Sequence, residues 1–146
     1  MKDRSREKRV GDTPLLSVRD LVIEFPTRYG PLTAVDGVSF ELKAGEVLGV
    51  VGESGAGKSL TGSAIIGLLD PPGRIASGEI RLKGERIDDL PNSEMRKIRG
   101  RRIGMVFQDP LTSLNRLYTI SEQLIGTIRS HLRIYERKAP EQPTKM

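Results

Sequence analysis

No cysteine occurs among the 146 residues, which excludes disulfide bonds and cysteine metal ligands and is compatible with a reducing compartment. No apolar run approaches the roughly eighteen residues that a membrane-spanning helix needs, so any membrane attachment is expected to come through a partner protein. A secretory leader is not expected either, because Met1 to Arg9 is dominated by charge where a signal peptide has its apolar core. Aromatic residues do not interleave with the basic ones. The net charge is +5, and Arg96, Lys97, Arg99, Arg101 and Arg102 crowd into one short stretch. With no aromatic side chain there to stack a base, the cluster reads as a solvated helix face, and nucleic acid is not expected as a partner. No internal repeat is present, and the length fits one domain with a core of its own.

What the chain does contain is concentrated in eight residues. Gly52-Glu53-Ser54-Gly55-Ala56-Gly57-Lys58-Ser59 is a full match to the phosphate-binding P-loop. A polyphosphate needs many backbone N–H donors turned inward, a cation and, for magnesium, a hydroxyl. Gly52, Gly55 and Gly57 let the backbone approach closely, Lys58 can reach the outer phosphates, and Ser59 opens the next helix with its hydroxyl toward Mg2+. The flanks agree. Val47-Leu48-Gly49-Val50-Val51 suits a strand buried on both faces of a parallel sheet. After the loop, Leu60, Ala64, Ile65 and Leu68 recur at helical spacing until Asp70-Pro71-Pro72-Gly73 stops the pattern.

The remaining elements are read from periodicity. Val18, Leu21, Ile23 and Phe25 mark one strand, Ala34 to Leu42 a second with Val38, Phe40 and Leu42 on one face, and Ile80 with Leu82 a third; together they predict an antiparallel sheet. Ser77-Gly78-Glu79 reads as the turn into that third strand. A helix is predicted from Asn92-Ser93-Glu94, a buried strand over Ile103 to Phe107, and a helix from near Thr119 with Ile120, Leu124 and Ile128 on one face. Residues 1–14 and 133–146 read as disordered tails around a domain spanning 15–132.

From about Leu16 to about Leu132 the chain resembles the ATP-binding subunits of ABC transporters. The run Asp36 to Glu46 leading into the P-loop strand begins the resemblance, and Val106-Phe107-Gln108-Asp109-Pro110-Leu111-Thr112-Ser113-Leu114-Asn115 sharpens it. This second run is similar to the Q-loop region of the oligopeptide, dipeptide and nickel importer branch, which usually continues with proline where this chain has Arg116. The resemblance implies an α/β P-loop NTPase fold, incomplete, with an antiparallel β subdomain and the start of a helical subdomain. It implies ATP and Mg2+ as cofactors, with Tyr29 stacking on adenine, the Gly52 to Ser59 loop holding the phosphates, and Ser59 and Gln108 at the metal. Gln108 would also orient the attacking water, since an amide both donates and accepts.

Asp109 after the apolar run Ile103 to Phe107 also resembles a Walker B strand, but Pro110 stands where that motif has its catalytic Glu, so the Q-loop reading is preferred. The family's signature sequence, Walker B acid, catalytic Glu and switch histidine are not found before Met146, and His131 falls too early for the last of these. The chain is therefore expected to be the N-terminal part of a subunit and to bind ATP more readily than it hydrolyses it. Implied partners are transmembrane permease subunits, a second ATP-binding subunit as homo- or heterodimer and, indirectly, a periplasmic or extracellular solute-binding protein, with the chain at the cytoplasmic face of the cell membrane. The implied function is energy coupling for import of peptides or a related solute. The alternatives are a non-transport ATPase of the same type acting on nucleic acid or the ribosome, and an inactive fragment whose unpaired apolar edges aggregate.

Overall fold

A computed structural model describes residues 13–108 and 114–131, the side chains of 130 and 131 excepted. The expected tails, apart from Thr13 and Pro14, lie outside this range, as do the Asp109 to Ser113 part of the Q-loop run and the side chain of His131. The chain divides between Arg99 and Gly100 into two compact units.

The first unit is built on the alternation of apolar residues in the N-terminal third. β1 (Leu16–Thr27) and β2 (Gly30–Leu42) form a hairpin turned at Arg28-Tyr29; β3 (Arg74–Leu82) pairs with the other edge of β1, and the short β4 (Glu85–Arg86) pairs with β3. All pairings are antiparallel, in the order β2-β1-β3-β4. The register sets apolar residues against one another, Val18 opposite Phe40 and Ile80, and Ile23 opposite Val35 and Ile75. Val18, Leu21, Ile23 and Ile80 are fully buried, with Leu82 and Ile87 nearly so. Each such aliphatic side chain contributes about 1.5–3 kcal/mol by leaving water.

β1 changes register around Asp20, whose φ is 46°. Ser39 holds this irregularity by accepting the Asp20 N–H at 2.7 Å and donating its hydroxyl to Asp20 Oδ1 at 3.2 Å. Ser77-Gly78-Glu79 lies inside β3 across from that irregularity, where a turn before the strand was expected.

Two helices complete this unit, α1 (Lys58–Ile65) and α2 (Asn92–Ile98), and both begin where their sequence patterns predict. α1 ends earlier than predicted. Gly67 adopts φ +64°, its N–H bonds to Ala64 O, and Leu68 N–H bonds back to Ser63 O. These two bonds close the helix at Gly67, so Leu68 falls outside it, well before the prolines. Ala64 and Ile66 from the α1 region and Met95 and Ile98 from α2 are buried.

The predicted buried strand over 46–51 is not formed. The segment carries no strand, and Val47 and Val51 are 98% and 93% exposed. A parallel strand is held by neighbours on both edges and by cover on both faces. Among the described residues no strand pairs with it.

The same correction applies in the second unit to Ile103 to Phe107, which is reduced to an isolated bridge at Ile103, with Val106 92% exposed. This unit is otherwise a turn in which Gly100 N–H donates to Ile103 O, then a turn at 115–118, then α3 (Ile120–His131). Among the described residues no helix is long and apolar enough to cross a membrane.

Candidate functional site

The loop 52–57 joins an exposed segment without regular structure to the first turn of α1. Its geometry is governed by Gly57, the residue before the helix, which is buried and has φ +80°. A Cβ built there would stand 2.7 Å from Val35 Cγ2 and 3.0 Å from Ala34 O, so any side chain would lift the loop off β2. Glycine is required both by the left-handed backbone and by the close approach.

Behind Gly57 the helix is entered by backbone bonds. Thr61 donates both its N–H, at 2.8 Å, and its hydroxyl, at 3.0 Å, to Gly57 O. No side chain caps this N-terminus and its first turn holds no acid. The first N–H groups of a helix have no intrahelical acceptor and carry its positive pole, so this end offers backbone donors and positive potential to an anion.

Lys58 folds back over the loop. Its ammonium donates to Gly52 O at 2.7 Å and Glu53 O at 2.6 Å, which draws the loop into a ring around the cation. Ala56 N–H closes a tighter turn onto Glu53 O at 3.2 Å. An ammonium has three donors, and two are used here, leaving one for an incoming oxygen. Ser59, the second residue of α1, is exposed, as are Glu53, Ser54, Gly55 and Ala56. Backbone donors, one cation and an exposed hydroxyl at a helix start fit a polyphosphate with its magnesium ion.

Tyr29 occupies the tip of the β1–β2 hairpin. The Thr27 hydroxyl fixes this turn by accepting the Tyr29 N–H at 3.2 Å and donating to Gly30 O at 2.6 Å. The ring is 93% exposed, with the Arg28 guanidinium 6.0 Å from its centroid. Its free face is therefore available to a flat ligand, and β2 runs from this turn to the Ala34-Val35 seat of Gly57. Gln108 belongs to the second unit, exposed on a bend after the 103–107 segment.

Arg99 does not lie on the solvated basic face expected of its cluster. Arg99, at the end of α2, turns inward and donates from Nε to Ile66 O and from Nη2 to Gly67 O, both at 2.6 Å, and from Nη1 to Asn92 Oδ1 at 2.8 Å. Its neighbour Lys97 does stay on the surface, paired with Glu94 at 2.6 Å. Gly67 was the available signal, since a glycine closing a helix leaves carbonyls that a basic residue elsewhere can take.

The model of the ABC transporter family matches residues 35–145. An oligopeptide transport ATP-binding protein of Escherichia coli is 45% identical over 132 residues, covering 90% of this chain and 39% of that protein. Its Bacillus subtilis counterpart is 42% identical, over 92% of this chain and 38% of that one. A dipeptide transport ATP-binding protein of E. coli is 42% identical, over 80% and 36% respectively. The chain thus spans about two-fifths of the length of these curated relatives. Among solved structures, cbiO1 from Clostridium perfringens, part of the ABC transporter complex cbiONQ, superposes with a TM-score of 0.53 over 79% of this chain and 47% of that one, at 23% identity, a likeness of fold.

Proposed function

The chain belongs to the ABC transporter family, and from that premise we propose that it binds ATP as part of the energy-coupling subunit of a peptide importer. The observation that carries this reading is the phosphate loop itself: Gly57 seated on β2, an α1 N-terminus free of capping side chains and acids, and Lys58 over the loop. The named functions of the oligopeptide and dipeptide relatives support peptides as the cargo.

In this reading the triphosphate lies along the 52–59 backbone, Lys58 exchanges one loop carbonyl for a phosphate oxygen, and the Tyr29 ring stacks on the adenine face. A Mg2+ ion bound with the triphosphate would take the Ser59 hydroxyl as a protein ligand, and the Gln108 amide would be a further group to orient it or the attacking water. Lacking a membrane-spanning helix among the described residues, the chain would reach the cytoplasmic membrane face through permease subunits and pair there with a second ATP-binding subunit.

The test is a thermal melt with and without magnesium-ATP, on the parent and on Lys58→Ala. Ligand at a hundred times its dissociation constant should add about 2.7 kcal/mol to the parent. The stabilisation should vanish in Lys58→Ala. An equal shift in both proteins would remove the phosphate loop as the binding site.

A further inference from the structure

We propose that Arg99 is a positioning residue for the phosphate loop, holding it from the opposite end of α1. The inference rests on the nucleotide-binding reading above and adds to it a residue outside the loop.

α1 is a helix of eight residues, about 12 Å from end to end, so a displacement at one end is carried to the other. No side chain caps its N-terminal end, and the Thr61 and Lys58 side chains there bond only within the loop and the first turn. The C-terminal end is restrained in layers. The Gly67 and Leu68 N–H groups take Ala64 O and Ser63 O, and Ile66 O and Gly67 O are left to accept from a side chain. Arg99 takes both, and its remaining terminal nitrogen bonds the Asn92 side chain at the start of α2. One planar fork therefore ties the close of α1 to both ends of α2.

The packing beneath the fork admits little slack. A Cβ at Gly67 would lie 3.0 Å from Arg99 Nη2 and 3.3 Å from Met95 Cε, and Met95 is itself buried. A guanidinium at this end also complements the negative pole of the helix, leaving the positive pole to the phosphates. Lysine cannot reproduce the arrangement, because a single ammonium has no rigid fork to span two carbonyls and an amide.

Equilibrium titration with magnesium-ATP of the full chain as parent, Arg99→Ala and Arg99→Lys, beside melts of each without nucleotide, tests the assignment. Arg99→Ala should weaken ATP binding about tenfold, within the range of couplings between sites joined by a rigid element. Arg99→Lys, which keeps the charge and loses the fork, should fall between parent and Arg99→Ala. A lower melting temperature with a dissociation constant within about twofold of the parent would make Arg99 merely structural and overturn the proposal. Should Arg99→Ala not fold, Arg99→Lys decides by the same criterion, unchanged affinity again overturning it. Absence of ATP binding by the parent would instead defeat the nucleotide reading, and this inference with it.

Discussion

Gly57 and Lys58 show how closely single residues define the loop. Gly57 combines a positive φ with a close approach to Val35 and Ala34, so Gly57→Ala should cost about 1–3 kcal/mol from the left-handed backbone and the displaced loop together. Urea unfolding measures that cost, and a change below about 0.5 kcal/mol would mean the loop does not rest on β2. Asp88 gives a prediction in pH. Burial pushes its carboxyl up, but the Arg86 guanidinium at 2.8 Å and the Ile80 N–H at 2.8 Å outweigh burial and hold it below the ordinary value of 3.8. A carboxylate held lower in the folded state than in the unfolded one stabilises fully above its unfolded pKa, and that contribution is lost as pH falls through the folded value. Asp88→Asn should therefore be less stable than the parent at pH 7, by about 1–3 kcal/mol. The gap should narrow as the pH is taken from about 5 toward 2. Urea curves for both proteins across that range check it, and a gap independent of pH would assign the loss to packing.

At the scale of elements, the start of α3 is set by a reciprocal pair. Glu122 accepts the Thr119 N–H at 2.9 Å and its hydroxyl at 2.8 Å, while Thr119 Oγ1 accepts the Glu122 N–H at 3.2 Å. These bonds also lower the pKa of Glu122. Gln123 adds a second fastening, since its amide oxygen accepts the Asn115 N–H at 2.9 Å and its amide nitrogen donates to Asn115 O at 3.0 Å, as a neighbouring strand would. Thr119→Ala should cost the helix about 1 kcal/mol, seen as faster hydrogen exchange in its first turn. Unchanged exchange there would show that Gln123 alone sets the start. The helix starts were legible because the signals are local: Gly-Lys-Ser after a glycine loop, Asn92-Ser93-Glu94, and the four-residue spacing of Ile120, Leu124 and Ile128 after Thr119. The end of α1 differs from the expected one because Gly67 stops the helix before the two prolines are reached.

For the molecule as a whole, the separation between a well-packed antiparallel sheet and exposed apolar segments is itself testable. Ile80→Ala, in the fully buried centre of the sheet, should cost about 2–5 kcal/mol. Val51→Asp, at a side chain 93% exposed, should stay within about 0.5 kcal/mol in the same urea experiment. A large loss at Val51 would mean that the 46–51 segment is covered in solution. The P-loop motif and the antiparallel strands are legible along the chain, because a P-loop is recognised within eight consecutive residues and a half-buried strand by alternation along its own length. The sequence also carried the family resemblance. The rest depends on residues distant along the chain. Whether Val47 to Val51 and Ile103 to Phe107 are strands depends on edges supplied from elsewhere, and apolar runs do not state their partners. Arg99 depends on carbonyls 32 and 33 residues away, exposed only because Gly67 closes α1 where it does. A basic residue in a basic cluster looks like surface until the fold brings a helix end beside it.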